Sequence, residues 1–321
     1  MAKTSKPKLP KLLDRKIYKT GQTRGADDDE IFQNRVGRNS TVLIPYTEWK
    51  SEYATKGFEN GYIVLIPPRF INHQRELKAQ NIVLGTNALL FYETRKDWFD
   101  YNPDAKGMKP ATSRTAPLGG QYVARVPATT ALEGNQKINL GFTEKTLKGA
   151  GIRFYEYADH ATIDAACKQL EAIFWHCEDA ERAATEAGMS GSDINQRKKW
   201  ILDHCRSEGL LDYQQLREKR ILDADNCTVC PLCLERLQGR GFMTRLSQMQ
   251  GREVPDLTVT EVSLFHIHEL RPGEFNHKPY NLGWGHHHCN VVVKDSGIFP
   301  TLNWFVKVLR RNHDAGFSNF D

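Results

Sequence analysis

Two short spacings in this chain point most directly to chemistry. Cys230 and Cys233 stand two residues apart, and His286 and Cys289 repeat that interval downstream. A Cys-x-x-Cys turn delivers two soft ligands from one loop, and a second pair completes a tetrahedral Cys3His set suited to structural Zn²⁺. Cys227 stands at the same interval before Cys230, so it can replace Cys233 as a donor. Buried free thiols are the bland alternative. Against it, seven of the eleven histidines and four of the seven cysteines fall in the last hundred residues, and such clustering favours a metal.

Between the two pairs runs Phe265-His266-Ile267-His268, an alternation that in a strand puts both imidazoles on one face. Gly273 and Asn276 supply a turn, Asn281 precedes the second pair, and Asn290 follows Cys289 directly. Phosphodiester cleavage needs a water made nucleophilic, and a neutral histidine near pH 7 can take its proton. These residues together resemble the HNH endonucleases of the zinc-stapled ββα-metal type. The resemblance covers 227–297, with His266, Asn281 and Asn290 at the three motif positions and nine residues from Asn281 to Asn290.

The resemblance implies roles for these residues. His266 is the general base, Asn290 a ligand of one catalytic Mg²⁺, and Asn281 the residue that holds the loop orienting the histidine strand. Zinc on Cys230, Cys233, His286 and Cys289 is structural, replacing the core that so small a module lacks. One departure stands out, because Phe265 occupies the place where many such sites carry Asp, Glu or His as a second metal ligand. His268 or Glu269 then completes the Mg²⁺ site, or His268 is the base with His266 as ligand. The His-Ile step favours His266 as the base. His277, His287 and His288 are further candidates for phosphate, against the reading that they are exposed and idle.

The elements that must position these groups come earlier in the chain. Residues 1–40 are basic (Lys3, Lys6, Lys8, Lys11, Arg15, Lys16, Lys19, Arg24, Arg35 and Arg38), broken by the acidic run Asp27 to Glu30. They read as a solvated tail or as an arm along a DNA groove. Short apolar runs at 41–45, 62–66, 82–84, 89–92, 122–126 and 152–157 predict strands of a mixed sheet. The polar loop 107–120, with Lys106, Lys109 and Arg114 on or beside it, is a binding or solvated loop. Ile163, Cys167, Leu170, Phe174 and Cys177 recur at helical spacing and predict a helix over 162–187 ended by Gly188, both cysteines on its core face. Ser192 caps a second helix over 193–206, and a third passes through Tyr213, Leu216 and Ile221. The expected class is α+β. A mixed α/β DNA-recognition domain fills 1–158, a helical linker 159–222, and a ββα-metal (HNH) nuclease domain with a zinc knuckle 223–321.

Composition sets the outer limits. A chain of 321 residues, 40% hydrophobic and 26% charged, can build real cores, and a net charge of +5 is permissive for nucleic acid. No apolar run reaches the roughly 18 residues of a membrane span, and the basic start lacks the apolar segment of a signal peptide. Seven cysteines, an odd number, suit a reducing cytoplasmic setting more than a disulfide framework. Two ExK triplets (Glu48 to Lys50, Glu76 to Lys78) precede both Pro-Asp pairs, an order that argues against the other common nuclease motif. The sequence therefore reads as a type II restriction endonuclease, cutting double-stranded DNA as a homodimer so that two symmetric sites meet a palindrome. The alternatives are a modification-dependent enzyme with a base-flipping pocket among Tyr62, Phe91, Tyr92, Trp98, Phe99 and Tyr101, a homing endonuclease, and a non-catalytic zinc-stabilised DNA-binding protein.

Overall fold

The computed structural model describes residues 6–18, 42–51, 62–111, 117–129, 136–141, 158, 160–247, 255–271, 274–294 and 296–317. The strand expected at 152–157, the acidic run at 27–30, Lys3, Lys19, Arg24, Arg35, Arg38, Arg114 and Gly273 lie outside them. The chain forms two compact units, one of 39–157 and one that joins 1–38 to 158–321.

In the first unit, β1 (Val42–Pro45), β2 (Tyr62–Ile66), β3 (Ala88–Tyr92) and β4 (Tyr122–Val126) pair in parallel, and β5 (Ile138–Leu140) closes the edge antiparallel to β4. Parallel strands covered on both faces read as unbroken apolar runs, which is why β2 and β3 are visible in sequence. The run at 82–84 is not a strand. Asn87 ties it into a turn instead, its side chain accepting from the Val83 N–H at 2.7 Å and donating to the Asn81 carbonyl at 2.8 Å. Strand β5 is not legible in the sequence, because three residues of INL carry too short a pattern. Ile63, Leu89, Ala111 and Val123 pack as one cluster. Tyr92, Trp98 and Tyr122 meet edge to face at 5.4–6.1 Å, and Tyr92 is fully buried. Tyr92 is therefore core, whereas Trp98 is half-buried and Phe99 is exposed. The loop expected over 107–120 is partly pinned, since Ala111 N–H donates to Tyr122 O and Gln121 N–H to Lys109 O, each at 2.8 Å.

The second unit is built on helices. It contains α1 (Lys11–Tyr18), α4 (His160–Phe174), α5 (Ala180–Glu186), α6 (Gly191–Ser207), α7 (Tyr213–Glu218), α8 (His287–Val293) and α9 (Ile298–Asp314), with α2 (Gln74–Ala79) and α3 (Arg95–Asp100) belonging to the first unit. One apolar cluster runs through α1, α4, α6, the segment after α7 and the C-terminal hairpin. The helices expected to act as a linker over 159–222 share this cluster with the hairpin. The basic segment also differs from expectation: Leu13 and Ile17 are fully buried, and the Lys16 ammonium donates to Phe242 O at 3.2 Å and to Thr260 Oγ1 and Val262 O. An ammonium held there cannot follow a DNA groove.

The helix expected over 162–187 breaks after Phe174. Thr228 takes the carbonyls that a continuous helix would use, its hydroxyl donating to Ile173 O and its N–H to His176 O at 3.0 Å. Gly188, at φ +96°, ends α5. Ser190 rather than Ser192 caps α6, accepting the Asp193 N–H at 3.1 Å.

At the centre of this unit Arg197 grips Glu171 with two hydrogen bonds of 2.6 Å, their side chains 5% and 0% exposed. Tyr18 also donates to Glu171, and Arg197 to Pro7 O at 2.8 Å, so the pair anchors the N-terminal segment. Removing one member of a buried pair leaves the other charge stranded, at a cost of about 3–5 kcal/mol. Arg197→Met should lose about that much in urea unfolding, whereas Glu171→Leu/Arg197→Met should lose much less. Equal losses in the single and double variants would show that Glu171 is not a stranded charge in Arg197→Met.

Candidate metal centre and active site

The knuckle begins where α7 ends. Arg220, at φ +59°, turns the chain and donates to Pro231 O at 2.7 Å and Leu232 O at 3.3 Å. Leu234 N–H closes the turn on Cys230 O at 2.8 Å. Strand β9 (Leu282–His286) then delivers His286 at the mouth of α8, and the first turn of α8 delivers Cys289. The ligand atoms of Cys230, Cys233, His286 and Cys289 all lie within 4.8 Å of one another. Cys233 Sγ stands 3.4 Å from His286 Nδ1. Cys227 is not in this group; its N–H caps Asp223 Oδ1 at 2.8 Å. Burial and the neighbouring Cys230 and Cys233 thiols push the Cys289 thiol up. Three sulfurs and one imidazole nitrogen this close fit a single tetrahedral Zn²⁺, with ligand bonds of roughly 2.0–2.3 Å.

Strands β8 (Val262–His266) and β9 pair antiparallel from Val262 opposite His286 to His266 opposite Leu282, and α8 follows and packs on both. Phe265 and Ile267 are buried while His266 and His268 are half exposed, so burial alternates through the motif. Phe265 is core. A Cβ on Gly285 would lie 2.4 Å from its ring, so the partner strand leaves the space this side chain fills.

The two histidines have different neighbours. His266 Nε2 stands 3.2 Å from Nδ1 of His277, which is 1% exposed. The sequence around His277 reads as exposed or phosphate-facing, and only tertiary folding reveals this residue behind His266. His268 Nε2 stands 3.2 Å from the Lys219 ammonium at the end of α7, and its ring lies 6.1 Å from Phe299. Burial, then Lys219 and Lys278, hold the His268 proton affinity below the ordinary imidazole value. His268, Glu269 and Phe299 line a cavity of 420 Å³ at the start of α9. Glu269 is paired with Arg271 at 2.7 Å.

Asn281 is 3% exposed, and its carboxamide fastens the loop between the strands. Its Oδ1 accepts the His268 N–H at 2.7 Å, and its Nδ2 donates to Asn276 O at 2.7 Å and His268 O at 3.4 Å. Asn276 donates in turn to Glu269 O at 3.0 Å. Asn290 lies half exposed on α8, and its carboxamide makes no hydrogen bond among the described residues. His288 is exposed, and His287 donates its N–H to Glu261 O at 2.7 Å.

Residues 15–287 match the family described as BstXI restriction endonuclease, a span that ends in the first turn of α8. No curated protein matches the chain. A solved structure titled "Crystal structure of a type II restriction endonuclease" is 16% identical with a TM-score of 0.29, covering 49% of this chain and 57% of that one. The chain thus spans little more than half the length of that protein, at a similarity below that of a shared fold. With a family match over more than four-fifths of its length, the chain belongs to the BstXI restriction endonucleases.

Proposed function

We propose that this restriction endonuclease hydrolyses both strands of a specific DNA sequence with an HNH centre made of β8, β9 and α8. One observation carries the reading: an antiparallel hairpin running directly into a helix, with His266 ending the first strand, Asn281 locking the loop and Asn290 on the helix. Structural zinc alone requires none of those three residues. A non-catalytic zinc protein also sits poorly with membership of an endonuclease family.

In this reading His266 accepts the proton of the attacking water as its oxygen bonds to phosphorus and the 3′ oxygen leaves. His277, with its Nδ1 3.2 Å from His266 Nε2, orients the His266 ring. His268 is less suited to the task, because an imidazolium there would face the Lys219 ammonium. The Asn290 carboxamide oxygen is a hard donor of the kind Mg²⁺ takes. A bound Mg²⁺ supplies positive charge to the phosphate and to the departing oxygen. Cys230, Cys233, His286 and Cys289 would hold a Zn²⁺ that ties the knuckle to the start of α8, apart from the chemistry. Sequence recognition falls to the 39–157 unit. A homodimer supplies the second centre for the second strand. The setting is the cytoplasm, where the seven free cysteines stay reduced.

Zinc binding in such a knuckle is folding free energy. Cys233→Ser should therefore lose zinc by elemental analysis and lower the melting temperature, while Cys227→Ser, outside the cluster, should keep both near wild type. Equal damage from the two substitutions would refute the ligand set.

His266→Ala should cut cleavage by about 10²–10⁴ while zinc content and DNA binding stay intact, since a general base acts in the transition state. Asn290→Ala should also cut slowly but recover in part at high Mg²⁺. Wild-type rates in both variants would remove the HNH assignment and leave the family membership standing.

A further inference from the structure

Three cations cluster at the end of α7, and two are spoken for. Arg217 donates to Asn226 Oδ1 at 2.7 Å, and Arg220 to the knuckle carbonyls. Lys219 has a different partner: its half-buried ammonium donates to His268 Nε2 at 3.2 Å. Lys278 stands exposed on the loop before β9; its carbonyl accepts the Asn281 N–H at 3.2 Å, and Asn281 holds the His268 backbone. Among the described residues neither lysine pairs with a carboxylate. The nearby acid Glu269 is neutralised by Arg271, and Glu274 is exposed on the cavity rim.

Two ammonium groups that meet no carboxylate among the described residues, one 3.2 Å from His268 Nε2 and one on the loop tied to it, repel a dication and attract an anion. One of the three Lys219 donors serves His268, which leaves the others for an incoming oxygen. The loop is rigid where this matters, because Asn281 fixes the His268 backbone by both its N–H and its carbonyl.

We propose that Lys219 and Lys278 bind a backbone phosphate of the duplex beside His268, so that His268 belongs to an anion site and is not a ligand of the catalytic Mg²⁺. The inference rests on the nuclease reading for the identity of the anion. Lys219 comes from the helical part of the unit, so the helices and the hairpin share one strand of DNA between them.

The test uses the full-length protein and a duplex of random sequence without divalent metal, so binding is read apart from cleavage. Each phosphate contact contributes about 0.9 to the slope of log affinity against log salt. Lys219→Met and Lys278→Ala should each lower that slope by about that amount, and Lys219→Arg should keep it. In cleavage, His268→Ala should leave unchanged the Mg²⁺ concentration that gives half-maximal rate. Unaltered salt slopes in both lysine variants would overturn the phosphate site. A several-fold higher Mg²⁺ requirement in His268→Ala would overturn its exclusion from the metal. If the wild type binds duplex but never cuts it, the nuclease reading fails while the salt slopes still decide the anion site.

Discussion

A buried helix must find partners for every polar group it carries inward, and in this protein α4 finds them in the hairpin of the candidate centre. Trp284 of β9 donates its indole N–H to Leu170 O at 2.9 Å, and Tyr280 N–H donates to Gln169 Oε1 at 2.7 Å. Gln169 in turn donates to Leu210 O at 2.9 Å, which brings in the segment before α7. Each unmet group at such depth would cost about 1–3 kcal/mol. The hairpin therefore stands on α4 by obligation, and its orientation is set by the same contacts that keep the helix buried. Glu171, one residue past Leu170, extends the arrangement to α6 and to the N-terminal segment. The histidine strand thus inherits its rigidity from a helical body that appears, in one dimension, to be a spacer.

What the sequence revealed and what it hid follow from the range of the interactions involved. The Cys-x-x-Cys turn, the pairing of His286 with Cys289 and the closing role of Asn281 are local or nearly so, and spacing exposes them. The parallel strands were readable because burial on both faces leaves continuous apolar runs. Other features depend on a partner far away in sequence. The break after Phe174 is imposed by Thr228, the burial of Lys16 by Thr260 and Val262, and the neighbour of His268 by Lys219. No window of sequence around residue 174, 16 or 268 contains those partners. The burial of His277 is hidden for the same reason: nothing in its loop says that it turns inward behind His266.

The knuckle is held from two directions. Arg220 clamps its carbonyls from the side of α7, while the Cys230, Cys233, His286 and Cys289 cluster faces α8. A residue at φ +59° with its guanidinium committed to two carbonyls is a poor candidate for replacement, since the backbone and the side chain impose separate demands. Lysine could supply the charge, but it could not span both oxygens with a planar fork.

The close approach of Phe265 and Gly285 bears on how such centres diversify. With an aromatic ring at 265, position 285 has no room for even a methyl group, because the ring edge already occupies its place. A carboxylate at 265 would vacate that volume and expose a void that some side chain at 285 would have to fill. The two positions form a lock in sequence space: neither can change alone without loss, and lineages should exchange both together. An acidic side chain at 265 is therefore reached only through a poorly packed intermediate, and Phe265 is a state that drift by itself does not easily leave.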